Sequence, residues 1–210
     1  MLSRSGRGVA QMIFGSIAKL CVRAGITADA VTITGTVLTV LWALVLYPLG
    51  HPVVATILIM ATVIFDSLDG QIARLTGTSS TWGAFLDSSL DRVADGAIFT
   101  GIIMWMLRYN LYGNATVSLI YVALSATVAA LCTSYVKARA QSLGLTANVG
   151  ISERADRLVV VLLGALVTGA GWWNWALGTA IIFLAVAGWI TVLQRMCTVY
   201  QQSHRRKNRK

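Results

Sequence analysis

Four carboxylates stand in sequence that is otherwise apolar, and they constrain this chain more than any other feature. The chain has eight acidic residues among its 210 positions, and four of them are Asp66, Asp69, Asp87 and Asp91. The members of each pair are three or four residues apart, so each pair projects from one face of a helix. The segment 74–82 between the pairs contains turn residues and no long apolar run. The sequence therefore predicts two antiparallel helices whose carboxylate pairs can face each other.

The composition around these carboxylates is that of a membrane protein. Charged residues make up 12% of the chain and hydrophobic residues 56%, with a mean hydropathy of +0.71, whereas soluble domains carry about 25% charged residues. The net charge of +9 resides in clusters between apolar spans, which is typical of topology signals and argues against a nucleic-acid partner. Cys21, Cys132 and Cys197 are far apart and form no CxxC or His-Cys cluster, which favours small buried side chains over disulfides or a zinc site.

We predict an all-α integral membrane protein, a single domain over 1–210 with six transmembrane helices. Residues 2–23 carry basic side chains on one side and apolar ones on the other, which predicts an amphipathic helix on the membrane surface. A six-helix bundle over 29–203 follows, with Asp29 as the expected cap of its first helix. A basic tail covers 204–210. The expected spans run approximately over 29–49, 53–69, 83–108, 115–139, 158–170 and 176–200.

The basic residues assign a side to the membrane. With six spans, both termini and the second and fourth connections share one side, which collects every Lys and Arg except Arg108. Positive charge marks the cytoplasmic side. We therefore expect a multi-pass protein of the cell membrane, with the four carboxylates near the cytoplasmic face.

Facing carboxylate pairs have a definite chemistry. They can hold one or two Mg²⁺ or Mn²⁺ ions, which prefer oxygen ligands and act on phosphates. Nearby guanidinium groups would attract an anionic substrate. Alternatively, the acids only pair with Arg74 and Arg92. A different class, an ion or proton transporter, also uses intramembrane acids, but the chain has no inverted repeat with broken helices, as transporters often do. A non-catalytic membrane scaffold is a third alternative.

The spacing of eight residues resembles a known signature. The pattern is Asp66-x2-Asp69-Gly70-x2-Ala73-Arg74-x8-Gly83-x3-Asp87-x3-Asp91, and it is similar to the signature of the CDP-alcohol phosphotransferases. The segment T-A-D-A-V-T-I-T-G resembles that family's nucleotide-side T-P-[DN]-x-x-T, with Ala28 in place of proline. The segments Y-V-K-A-R-A and I-S-E-R-A-D-R-L, with Q-R near the end, are similar to the actinobacterial phosphatidylinositol-phosphate synthases within that family.

The resemblance implies an enzyme with two divalent metal ions, Mg²⁺ or Mn²⁺. It would transfer the phosphatidyl group from CDP-diacylglycerol to inositol 1-phosphate and release CMP; glycerol 3-phosphate stays open as the acceptor. Asp91 would be the general base. The resemblance implies metal ligands at Asp66, Asp69, Asp87 and Asp91, nucleotide contacts at Asp29, Thr32, Gly70, Ala73, Arg74 and Gly83, and acceptor-phosphate contacts at Lys137, Arg154, Arg157 and Arg195, with Arg139 a weaker candidate. It also implies a homodimer.

Overall fold

The structure, a computed structural model, describes residues 22, 25–66, 72, 76, 77 and 80–207 of the chain, without the side chains at 66, 206 and 207. The described residues form six α-helices and no strand. The helices are α1 (Ala28–Leu41), α2 (Pro52–Asp66), α3 (Thr81–Tyr109), α4 (Thr116–Ser142), α5 (Arg154–Gly169) and α6 (Ala176–Lys207). A π-helical segment, Trp42–Leu46, extends α1, and a short 3₁₀ turn, Gly113–Ala115, precedes α4. The predicted surface helix over 2–23 falls almost wholly outside the described residues.

Three helical stretches among the described residues are long and apolar enough to cross a membrane: Ala28–Leu46, Gly113–Ser142 and Ala176–Arg205. Helix α2 is apolar but shorter. Helix α3 is long, yet its first half carries several charged side chains. Helix α5 has 16 residues, or about 24 Å of rise against a hydrocarbon thickness of about 30 Å. Helices α2, α3 and α5 thus depart from the long apolar pattern, α2 and α5 by their length and α3 by its charge.

The N-cap of α1 lies two residues before the one predicted from the sequence. Thr27 is the N-cap of α1, because its hydroxyl accepts a hydrogen bond from the Ala30 backbone N–H at 3.2 Å. The prediction that Asp29 caps this helix is therefore wrong; Asp29 lies in the first turn. There its charge still complements the positive end of the helix, and its side chain stays available to other partners.

Close helix contacts depend on small residues. A Cβ atom at Gly101 of α3 would collide with the carbonyl oxygen of Ala43 in the π-helical segment. Another at Gly188 of α6 would lie 2.9 Å from the Cβ of Ala129 in α4. Large apolar side chains such as Leu107 and Leu193 point outward, with 62% and 60% of their surface exposed. Small residues between helices and apolar ones outside are typical of helix packing in a bilayer.

The loop between α4 and α5 is fastened to α6. The Gln202 side chain accepts a hydrogen bond from the Thr146 N–H at 3.1 Å and donates one to the Thr146 carbonyl at 2.6 Å. The Ser152 N–H donates to the Thr191 hydroxyl at 3.2 Å. These hydrogen bonds hold the loop, and with it the start of α5, against α6. Helix α6 itself continues to Lys207, so the predicted tail at 204–210 starts inside a helix.

Candidate active site

Helix α3 presents a ladder of three aspartates, at 87, 91 and 95, spaced one turn apart. Ser80 begins the helix by accepting a hydrogen bond from the Gly83 N–H at 3.0 Å. The Asp91 and Asp95 side chains are largely withdrawn from solvent, with 14% and 6% of their surface exposed. Carboxylates in such surroundings need positive partners.

Arginines of α3 and α5 supply those partners. Nη1 of Arg154 lies 2.7 Å from Oδ1 of Asp91, and Nη2 of Arg92 lies 3.1 Å from Oδ2. Nε of Arg154 donates to Oδ1 of Asp95 at 3.1 Å. The pairing of Asp91 with Arg92 is part of the purely structural alternative raised above. Arg154, however, joins Asp91 to a second helix and to a cavity.

A cavity of about 370 Å³ opens beside Asp91. All four cations predicted to bind the acceptor phosphate line it, although they come from three different helices. The charged lining residues are Asp91, Arg92, Lys137, Glu153, Arg154, Arg157 and Arg195, and the polar ones are Ser88, Thr133, Ser134 and Gln141. Arg139 does not line it; this side chain is exposed and donates to the Ser142 hydroxyl at 3.3 Å. The cavity thus combines a carboxylate with a cluster of cations that matches a phosphate.

Two of the cations, Arg157 and Arg195, are buried in the wall of the cavity and held there by hydrogen bonds. Arg195 is 5% exposed, and it donates from Nε to the Val149 carbonyl at 2.9 Å and from Nη1 to the Thr133 carbonyl at 2.6 Å. Arg157 is 3% exposed and donates from Nη1 to the Ser152 carbonyl at 3.3 Å. Because these bonds use only part of each guanidinium's five donors, both side chains are held in place while still facing the cavity.

The predicted nucleotide residues at the start of α1 and α3 lie together. Oδ2 of Asp29 accepts a hydrogen bond from Nε1 of Trp82 at 3.1 Å. A Cβ atom at Gly83 would be 3.6 Å from Oδ1 of Asp29. Asp29 lines a second cavity of about 340 Å³, together with Thr27, Thr76 and Ser80. Thr32 does not line it; this residue is 5% exposed and its hydroxyl donates to the Ala28 carbonyl at 3.1 Å.

The donor chemistry fits a hard divalent cation, because α3 offers carboxylates one turn apart and α2 ends at Asp66. The Asp66 side chain, Asp69, Gly70, Ala73 and Arg74 lie outside the described residues. Among the side chains that are described, no group of three or more His, Cys, Asp or Glu could hold a metal ion. The predicted metal set therefore depends on the two carboxylates at 66 and 69 joining those at 87 and 91.

The sequence predicts no role for Asp95, for Trp82 or for the polar residues that line the cavity beside Asp91. Asp95 carried a signal, because it continues the four-residue spacing of Asp87 and Asp91. Trp82 and the lining residues carried none. Their roles depend on contacts between distant segments, such as the 53 residues that separate Asp29 from Trp82.

Comparison with known proteins places this geometry in a family. The sequence profile described as CDP-alcohol phosphatidyltransferase matches residues 25–200. The phosphatidylinositol phosphate synthase of Mycobacteroides abscessus is 42% identical over 187 residues, 89% of this chain and 83% of the relative. That of Cutibacterium acnes is 43% identical over 194 residues, 89% of this chain and 92% of the relative.

Solved structures agree with the sequence relatives. The crystal structure of Mycobacterium tuberculosis phosphatidylinositol phosphate synthase with CDP-DAG bound has a TM-score of 0.84 and 38% identity, covering 90% of this chain and 94% of that chain. The same enzyme in complex with manganese and citrate gives a TM-score of 0.83 and 38% identity, covering 89% of this chain and 88% of that chain. By its sequence profile, its relatives and its fold, this chain belongs to the CDP-alcohol phosphatidyltransferase family.

Proposed function

We propose that this protein transfers the phosphatidyl group of CDP-diacylglycerol to inositol 1-phosphate, giving phosphatidylinositol phosphate and CMP. The observation that carries the proposal is the cavity in which Asp91 meets the cations of α4, α5 and α6. Relatives named phosphatidylinositol phosphate synthase, at about 40% identity over most of the chain, support the same acceptor.

The cavity accounts for how the acceptor is held. Lys137, Arg154, Arg157 and Arg195 would bind its phosphate group, which a free polyol lacks. Arg154 contacts Asp91 directly, at 2.7 Å. A phosphate bound to Arg154 would therefore hold the attached ring within reach of the Asp91 carboxylate. Such positioning converts an encounter in solution into a reaction within one complex.

Asp91 would act as the general base. An inositol hydroxyl would lose its proton to the Asp91 carboxylate while its oxygen bonds to the β-phosphorus, and the bond from that phosphorus to the CMP oxygen would break. Asp66, Asp69, Asp87 and Asp91 would hold two Mg²⁺ or Mn²⁺ ions. When bound, such ions offset the charge of the diphosphate and of the leaving CMP.

The nucleotide would bind on the other side of the ladder. Asp29 lines the second cavity, and Gly83 lies beside Asp29, which supports the contact of both with the cytidine nucleotide. Gly70, Ala73 and Arg74 would complete that site. Thr32 would contribute indirectly, by stabilising the first turn of α1, since its hydroxyl donates to the Ala28 carbonyl.

We further propose that residues 1–210 form one membrane domain of six spans, with α3 and α5 crossing despite their charge or short length. An amphipathic helix over 2–23 would precede the bundle. The site, both termini and the basic residues at 204–210 would face the cytoplasm, where inositol phosphate is available to the cavity. The family resemblance implies a homodimer, which the outward apolar faces would permit.

The test is an acceptor assay on the purified protein in lipid. CDP-diacylglycerol and Mg²⁺ are supplied with inositol 1-phosphate, glycerol 3-phosphate or free inositol, and CMP and the lipid product are quantified. We expect CMP and phosphatidylinositol phosphate with inositol 1-phosphate, and neither with free inositol, because free inositol has no phosphate for the cations. If, of the three acceptors, only glycerol 3-phosphate leads to CMP release, then glycerol 3-phosphate is the acceptor in place of inositol 1-phosphate.

A further inference from the structure

Asp95 is a buried acid that the proposed chemistry leaves unused. It lies one turn beyond Asp91 on α3, and 4% of the surface of the whole residue, backbone included, is exposed. It does not line the acceptor cavity. Burying a carboxylate is costly unless positive groups compensate it. Asp95 therefore requires cationic partners in its buried position.

Both partners of Asp95 come from the first turn of α5, and both line the acceptor cavity. Oδ1 of Asp95 accepts a hydrogen bond from Nε of Arg154 at 3.1 Å. Oδ2 lies 3.8 Å from Nη2 of Arg157. Arg154 and Arg157 are three residues apart on one face of α5. One carboxylate thus faces two guanidinium groups, one at each oxygen.

Arg157 depends on this carboxylate for its charge. The residue is 3% exposed, and its Nη2 has no hydrogen-bond partner among the described residues. Its other contact among the described residues is the Ser152 carbonyl, which carries no formal charge. Without Asp95, the guanidinium would be left buried with only the more distant acids of the site, so its position would no longer be fixed.

Arg154 depends on Asp95 for its orientation. Its guanidinium is shared between two aspartates, with Nε on Asp95 at 3.1 Å and Nη1 on Asp91 at 2.7 Å. The bond at Nε, the inner end of the guanidinium, sets the plane of the group. The outer nitrogens are thereby directed toward Asp91 and the cavity. A guanidinium binds phosphate well only when its planar fork is presented in this way.

We propose that Asp95 is the positioning residue of the acceptor site: it holds Arg154 and Arg157 in the arrangement that receives the acceptor phosphate, without touching the substrate itself. The proposal rests on the proposed function in one respect, namely that the cavity binds a phosphorylated acceptor. It predicts that loss of the Asp95 charge weakens acceptor binding and spares the nucleotide lipid, since the contacts of Asp95 among the described residues are with arginines of α5 and those of Asp29 are with Trp82 and Gly83.

The experiment compares Asp95→Asn with the wild type, both purified in the same lipid. Asparagine keeps the size and one acceptor oxygen but removes the charge. We expect KM for inositol 1-phosphate to rise roughly 10- to 100-fold, as for loss of other outer partners of ligand-binding groups. KM for CDP-diacylglycerol should stay within about twofold, and Asp95→Glu should restore part of the acceptor affinity. The matched control is Asp156→Asn, an exposed acid on the same first turn of α5 that caps the Glu153 N–H at 3.2 Å.

An unchanged KM for the acceptor in Asp95→Asn would overturn the proposal, as would an equal rise in both KM values. If Asp95→Asn does not fold, the double variant Asp95→Asn/Arg157→Gln removes both charges of the buried pair and is compared with Arg157→Gln alone, so that the effect of losing Arg157 itself is subtracted. The same expectation and the same contrary results apply to it. Failure of the proposed acceptor is distinguishable, because it shows in the wild type. Asp95 is then tested with whichever phosphorylated acceptor releases CMP.

Discussion

Asp91 has an arginine at each carboxylate oxygen, and replacing it distinguishes the proposed chemistry from a transport or scaffold role. Asp91→Asn keeps the shape of the side chain and removes the proton acceptor. We expect kcat for CMP release to fall about 100- to 10,000-fold, the range that a general base contributes. Binding of CDP-diacylglycerol, measured by titration in the same lipid, should be largely kept.

Ser88→Ala is the matched control for that variant, because Ser88 lines the same cavity from α3 and, within the described part of the chain, its hydroxyl donates to the Phe85 carbonyl of its own helix. It should retain most of the turnover. Unchanged CMP release in Asp91→Asn would refute the role as base. If neither the wild type nor any variant releases CMP, and if Mg²⁺ and Mn²⁺ do not change the stability of the protein, the scaffold alternative is favoured.

Two arginines of similar sequence context differ in their surroundings, and this difference tests the acceptor site. Arg154 lines the cavity and contacts Asp91, whereas Arg139 is exposed and donates to Ser142. Arg154→Gln should raise KM for inositol 1-phosphate about tenfold or more, since a hydrogen bond to a charged group contributes about 1.5–3 kcal/mol. Arg139→Gln should leave it within about twofold. Equal effects of the two substitutions on KM would argue that the cations act only by their overall charge.

Which cations line the cavity was predictable from sequence, but the burial and the partners of each cation were not. A family signature and the positive side of the membrane select Lys137, Arg154, Arg157 and Arg195. Neither reveals that Arg157 and Arg195 are almost wholly buried. One of the two aspartate partners of Arg154, Asp95, is 59 residues away in the chain. Such a pairing arises from where the bundle places the start of α5 relative to α3, which no local pattern records.

Among the elements, the contact between α3 and the π-helical segment is the most sensitive to side-chain volume. A Cβ atom at Gly101 would meet the Ala43 carbonyl, whereas a Cβ atom at Gly96 on the same helix would have no atom within 4 Å. Gly101→Ala should destabilise the protein by about 1–3 kcal/mol through overpacking. Gly96→Ala should be neutral, or stabilising by up to about 1 kcal/mol, because alanine favours the helix.

Thermal unfolding of both variants in one detergent measures the difference. Similar unfolding temperatures for Gly101→Ala and the wild type would mean that α3 is not fixed against the segment 42–46. The comparison matters for the site because α3 also carries the aspartate ladder. A shift of this helix would displace Asp91 and Asp95 relative to the arginines of α5.

Helix positions were largely predictable, and helix ends were not. Apolar runs separated by turns located the six α-helices that the structure describes. The run after Asp29 suggested the start of α1, but the cap is Thr27, because its hydroxyl reaches the Ala30 N–H. The end of α6 was placed near Tyr200, yet the helix continues to Lys207. Basic residues resemble a tail in composition, but they also favour the C-terminal end of a helix.

For the whole molecule, the distribution of charge predicts which connections face the cytoplasm. The turn between α3 and α4 lies next to Arg108, and the loop between α4 and α5 lies next to the cavity and its cations. Asn114 in the first and Asn148 in the second are both exposed asparagines outside the α-helices. They offer matched positions for labelling from the two sides of the membrane.

In a chain whose native cysteines are replaced, Asn114→Cys should react with a membrane-impermeant maleimide in intact cells. Asn148→Cys should react only after the membrane is permeabilised. The physical reason is that translocating the many Lys and Arg side chains of the opposite face would be far more costly than translocating Arg108 alone. Each variant must still release CMP, which shows that the labelled protein is folded. Labelling of Asn148→Cys in intact cells would mean that the topology is the reverse of the one proposed. The acceptor could then not come from the inositol phosphate of the cytoplasm.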